Sequence, residues 1–224
     1  MTRPSPSGGE RGLTDFLYPF IDADERDAGP LLTDLAASAE AKTEETLRLR
    51  ASTLALLGPE LDLTASAMAE RFAAGGRLLA FGNGGSATDA AGAVALFRAP
   101  PWGRSLPARS LVAAGAVLTA LANDVGFDVV FSRQVIAYGR GIDVALGLST
   151  SGNSANVLRA LDEARRRGLL TVGLAGYDGG EMAGAALDHC LVVRADSVHR
   201  IQETQAALLS ALWTRIQSCL ERVA

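Results

Sequence analysis

Along the first quarter of the chain, apolar positions recur at helical spacing: Leu31, Leu32 and Leu35, then Leu47, Leu54 and Leu57, with Gly58-Pro59 breaking the pattern. A second helix is predicted from about Glu60 to Ala74, carrying Leu61, Leu63, Met68 and Phe72 and ended by Gly75-Gly76. The rhythm then changes, and short apolar runs alternate with helical stretches. The runs at 77–82, 109–114, 142–149, 169–176 and 189–195 predict five strands. The stretches at 87–97, 116–124, 128–139 and 155–168 predict helices between them, and a long helix over about 197–222 closes the chain. Buried-looking strands that alternate with helices predict an α/β fold. Its expected form is a three-layer α/β/α sandwich on a five-stranded parallel sheet, flavodoxin-like in its 2-1-3-4-5 order, with extra N-terminal helices. On the last helix, Leu209, Leu212, Ile216, Cys219 and Val223 form a seam that Leu208, Trp213 and Leu220 widen. That face suits either a core or a helical interface between subunits.

Composition narrows this picture. With 224 residues, 48% of them hydrophobic, the chain can hold one sizeable domain. We expect residues 1–30 to be a flexible extension, within which "TDFLYPFIDADERDAGP" suits a short helix or a docked arm equally. Residues 31–224 are expected to form the domain: helices over 31–76, an α/β core over 77–196, and the C-terminal helix over 197–224. The formal charge is −4 and the pI near 5.3. The densest cationic run, Arg165-Arg166-Arg167, ends a predicted helix and complements its dipole. No nucleic-acid partner is expected. Cys190 and Cys219 make no CxxC pair and suit reduced core thiols. Two histidines, His189 and His199, are too few for a His-rich metal site, so no metal and no cofactor is expected. No apolar run approaches the ~20 residues of a membrane span, and the N-terminus lacks an apolar signal core. The expected location is cytoplasmic.

Two loops carry candidate chemistry. "GNGGS" (82–86) follows the first strand, and "STSGNS" (149–154) follows the third. Strands one and three flank the switch point of a 2-1-3-4-5 sheet, where ligands of open α/β sheets bind, so both loops would face one crevice. Ser149, Thr150, Ser151 and Ser154 offer hydroxyls, Gly152 allows a tight turn, and Ser154 suits the N-cap of the next helix. Free amides at that helix start would bind a phosphate. Neither loop holds Lys or Arg, so amides, hydroxyls and the helix dipole would carry the charge.

The segments "GNGGSATDA", "ANDVGFDVVFSRQV", "LGLSTSGNSANVLRAL", "GYDGGEMA" and "RIQE" together resemble the sugar isomerase (SIS) domain. More narrowly, they are similar to the phosphoheptose isomerases and the DnaA-initiator-associating protein. The resemblance runs from about Leu31 to the end. It implies a homotetramer built on the terminal helices, with sugar-phosphate pockets near subunit interfaces. Its ligand residues carry over onto Asn83, Gly84 and Ser86, onto Asp124 in "AND", onto Ser149, Thr150, Ser151 and Ser154, and onto Gln202 in "RIQE". The serine loop would hold the phosphate, and Asn83 and Asp124 would meet sugar hydroxyls. Sedoheptulose 7-phosphate is the ligand implied, and a protein partner is a further possibility that the DnaA-associating relative raises.

The resemblance breaks at the catalytic positions. The isomerases carry His and Glu six and ten residues after the serine of the glycine loop, and His eight residues after the Gln of "RIQE". Together with that Gln these form a metal site. Here the three positions hold Gly92, Leu96 and Ser210. Moving a carbonyl from C2 to C1 needs a base for a carbon-bound proton and an acid for the oxygens. The expectation is therefore a sugar-phosphate-binding protein without turnover, acting as sensor, adaptor or helper subunit. The alternative is a ketose–aldose isomerase with a relocated acid/base at His199 or Glu203. Asp89 is expected to complement a helix dipole, and the small residues Ala90 to Ala95 to give a smooth packing surface.

Overall fold

The computed structural model describes residues 29–223. It divides into two units between residues 44 and 45, and helix α1 (Gly29–Leu56) crosses the division. The expected extension over 1–30 lies almost wholly outside the described residues, as does the ambiguous segment before Gly29.

In the larger unit, α2 (Gly58–Ala73) is followed by β1 (Leu78–Gly82), α3 (Gly85–Arg98), β2 (Ala108–Ser110), α4 (Gly115–Asp124), a 3-10 turn (Phe127–Val129), α5 (Val130–Tyr138), β3 (Val144–Ser149), α6 (Ala155–Arg166), β4 (Leu170–Gly176), α7 (Gly180–Gly184), β5 (His189–Val193) and α8 (Val198–Val223). The five strands are parallel in the order β2-β1-β3-β4-β5, as the pattern predicts. Every residue of β1, β3 and β4 is buried, as continuous apolar runs in a two-sided sheet require. Alternate residues feed opposite faces. Leu78 and Ala80 join Leu61, Met68, Phe97, Leu212 and Trp213 under α2, α3 and α8. Leu79 and Phe81 join Phe131, Val135, Val157 and Leu161 under α5 and α6.

Four local expectations change. Gly58-Pro59 does not sit between helices but opens α2, with Pro in the first turn, where its missing N–H costs nothing. The predicted strand over 109–114 shrinks to Ala108–Ser110, because it is an edge strand paired only with β1 and the chain turns away after Leu111. Helix α7 was not predicted; its five residues are too short to show a period. The apolar seam of α8 is spent inside the chain: Leu208, Leu209, Leu212, Trp213, Ile216 and Leu220 are buried against α2, α3 and the sheet. It is therefore core, not a free interface.

The starts of β1 and β3 are joined by one buried carboxylate. Asp143 accepts hydrogen bonds from the Arg77 amide (3.0 Å) and Nε (3.3 Å), and from the Arg140 amide (3.0 Å) and guanidinium (2.8 Å). Burial raises its pKa, but the hydrogen bonds from Arg140 and Arg77 and the Arg140 charge outweigh that and hold the carboxyl below the usual carboxylate range.

Candidate functional site

The glycine and serine loops meet at the C-terminal ends of β1 and β3. Asn83 and Asn156 exchange side-chain amide bonds of 2.8 and 3.0 Å, so the loop after β1 is tied to the first turn of α6. Asn156 is buried and was not among the predicted residues; the available signal was a polar side chain at the second position of an otherwise amphipathic helix. In the serine loop, the Ser149 hydroxyl lies 3.0 Å from that of Ser154 and 3.4 Å from that of Ser151. Ser154 occupies the N-cap of α6, but its side chain makes no cap hydrogen bond, because it faces Ser149 instead. That corrects the expected capping role and leaves the α6 start more open. The Val157 and Leu158 amides bond to the Ser154 carbonyl, while those of Ala155 and Asn156 have no acceptor one turn back. An anion placed there would meet amides, hydroxyls and a helix dipole together.

The loop's shape depends on two close approaches. Gly152 has φ 68°, and a Cβ there would collide with the Gly179 carbonyl oxygen. The Met182 amide in turn donates to the Gly152 carbonyl (3.0 Å), and the Glu181 amide to Asn153 Oδ1 (2.8 Å), so α7 braces the serine loop. Across the crevice, a Cβ on Gly85 would collide with the Gln202 amide nitrogen. Gln202 thus lies directly against the start of α3. At the end of β4, Tyr177 holds a positive φ of 52°, unusual for a bulky residue.

The structure therefore brings Asn83, Gly84, Ser86, Ser149, Thr150, Ser151, Ser154 and Gln202 to one end of the sheet. Asp124 ends α4, is exposed, and accepts a hydrogen bond from Asn123 (2.8 Å); among the described residues its side chain makes no hydrogen bond to either loop. His199 is exposed, and Glu203, also exposed, lies 3.8 Å from Arg50. Gly92 and Ser210 are exposed, and a Cβ on Gly92 would meet nothing within 4 Å. The small residues of α3 thus divide: Ala90 and Ala93 pack inward, while Gly92 does not serve a contact within this chain. Asp89 lies beyond the first turn of α3 and is not a dipole cap. It is half-buried, its Oδ2 has no partner, and burial pushes its pKa up. On the facing helix, Gln205 is fully buried with neither amide atom bonded. Among the described residues, no group of three or more His, Cys, Asp or Glu is placed to hold a metal ion.

The SIS-domain description matches residues 43–176, which span both loops. The chain belongs to the SIS-domain family. Within that family it is 40% identical over 181 residues to the phosphoheptose isomerase of Paramagnetospirillum magneticum, covering 78% of this chain and 94% of that one. It is 48% identical over 166 residues to the phosphoheptose isomerase of Desulfovibrio desulfuricans, covering 73% and 78%. The solved phosphoheptose isomerase of Neisseria gonorrhoeae superposes with a TM-score of 0.77 at 38% identity, covering 82% of this chain and 99% of that one. These likenesses place the SIS fold and its sugar-phosphate isomerase relatives on firm ground. They do not favour the expectation of a site without turnover, and they agree better with its alternative. No helix among the described residues is long and apolar enough to cross a membrane.

Proposed function

We propose that the chain is a sugar-phosphate isomerase acting on a phosphorylated ketose of the size of sedoheptulose 7-phosphate. The observation that carries this reading is the serine loop of Ser149, Ser151 and Ser154 at the amide-rich start of α6, in a chain whose relatives are named phosphoheptose isomerases. In it, hydroxyls and amides hold the phosphate, and Asn83, Ser86 and Gln202 meet the sugar. A base takes a C1 proton of the ketose, an enediol forms, and the carbon-bound proton returns at C2 while the O1 hydroxyl gives up its proton and O2 gains one, leaving the carbonyl at C1. His199 and Glu203 flank Gln202 on α8 and are the candidate acid/base groups.

The metal implied by the resemblance does not fit these residues. Of its four donors only Gln202 is present; Gly92 and Leu96 offer no donor atom, and Ser210 offers only a hydroxyl. No step is routed through it. The same three positions favour a second reading, in which the site binds the sugar phosphate without turnover. A homotetramer belongs to either reading and is supported by Leu47, Leu56 and Leu63, which α1 and α2 leave exposed; light scattering after gel filtration tests it.

Incubation with sedoheptulose 7-phosphate, followed by NMR, separates the two readings. Aldose appearing in proportion to protein, and lost in His199→Ala or Glu203→Ala, supports the isomerase. A saturable thermal shift with no product overturns it in favour of binding alone.

A further inference from the structure

A groove of about 590 Å³ runs beside the edge strand β2, between α3 and α5, and no residue of the glycine or serine loop lines it. Three arginines reach it from three elements: Arg77 ahead of β1, Arg98 in the last turn of α3, and Arg109 on β2. Among the described residues, no acidic side chain lines it. The Arg109 guanidinium lies over the Tyr138 ring at 4.1 Å, which fixes it against one wall. Arg77 donates from Nε to Asp143 (3.3 Å) and from a second nitrogen to the Tyr138 carbonyl. Asp143 is shared with Arg140, so that group of two guanidinia and one carboxylate keeps a net positive charge. The Ser110 hydroxyl oxygen accepts from the Val112 amide (3.3 Å), leaving its own proton to donate.

Cations gathered in excess of their counter-charge repel one another, and a multivalent anion relieves that repulsion. Guanidinium groups suit phosphoryl oxygens through paired hydrogen bonds, and holding the side chains in advance lowers the entropy lost on binding. The groove has the volume of an ordinary small-molecule site. A peptide strand is a poorer occupant, because β2 offers three residues and follows Pro107, which has no amide to continue a ladder.

We propose that this groove binds a small phosphorylated ligand with two linked phosphoryl groups, separately from the sugar-phosphate crevice. Calorimetry of the full chain at low salt, with inorganic pyrophosphate and inorganic phosphate as probes, tests it. Pyrophosphate is expected to bind saturably and more tightly than phosphate. Its affinity should fall about tenfold in Arg109→Gln, disappear in Arg98→Gln/Arg109→Gln, and persist in Ser151→Ala/Ser154→Ala. Both arginines are exposed, and melting curves confirm that the variants fold. Undiminished affinity in the double arginine variant, loss in the serine variant, or no binding at all overturns the proposal. So does an acidic peptide that binds through the arginines where pyrophosphate does not.

Discussion

Replacing Asp143 by Ala should be among the most damaging single changes in the larger unit. The carboxylate is fully buried and accepts from two backbone amides and two guanidinium groups that join the starts of β1 and β3. Removing one member of a buried ion pair costs about 3–5 kcal/mol. Arg77 and Arg140 are 30% and 52% exposed in their side chains, so water can recover part of their solvation. The loss should therefore sit near the low end, about 3 kcal/mol, or roughly 6–12 °C in Tm for a unit of this size. Asp143→Asn adds a pH signature. The folded carboxyl has a lowered pKa, so its stabilisation is complete at neutral pH and is lost as pH falls through the unfolded value of about 3.9 toward the folded one. Thermal melts of wild type and Asp143→Asn from pH 7 to pH 3 should differ most at pH 7 and converge below about pH 4. A variant that melts within about 2 °C of wild type at pH 7, or a gap that stays constant with pH, would refute this account of the joint.

Gly152→Ala should lower Tm and abolish ligand-induced stabilisation together, because a positive φ and the Gly179 carbonyl both oppose a Cβ; differential scanning fluorimetry with and without sedoheptulose 7-phosphate reads both effects. Ser151→Ala/Ser154→Ala should remove the ligand shift while leaving the unliganded Tm within about 2 °C, as expected of surface hydroxyl changes. Trp213→Ala, at a residue 1% exposed against Phe97 and Trp102, should cost about 3–5 kcal/mol in urea unfolding. Asp89→Asn should raise stability at pH 7 and leave it unchanged below pH 4, since burial raises the pKa of this unpartnered carboxyl and its ionisation opposes folding as pH rises.

The sheet was legible in the sequence because β1, β3 and β4 are covered on both faces and, Thr171 apart, carry no polar interruption until their loops. β2 was overdrawn because an edge strand needs fewer buried residues, and the small residues after Leu111 suit a turn as well as a strand. Both candidate loops could be found by residue type. The direction of each side chain could not: Ser154 faces Ser149 and not the α6 amides, Asn156 pairs with Asn83 across 73 residues, and Asp124 stands apart. The wide apolar face of α8 could not be assigned from spacing alone, since core and subunit interface demand the same residues.

Helices α3 and α8 run side by side in one direction, with Gly85 against Gln202 at one end and Phe97 against Trp213 at the other. The chain has two tryptophans, and Trp102 lies 6.4 Å from Trp213 in the same cluster. The protein consequently carries an unlabelled optical reporter, whose emission comes from one place alone. Gln202, against the crevice, and Trp213 belong to the same helix, so tryptophan emission is the dye-free signal in which to look for occupancy of the crevice.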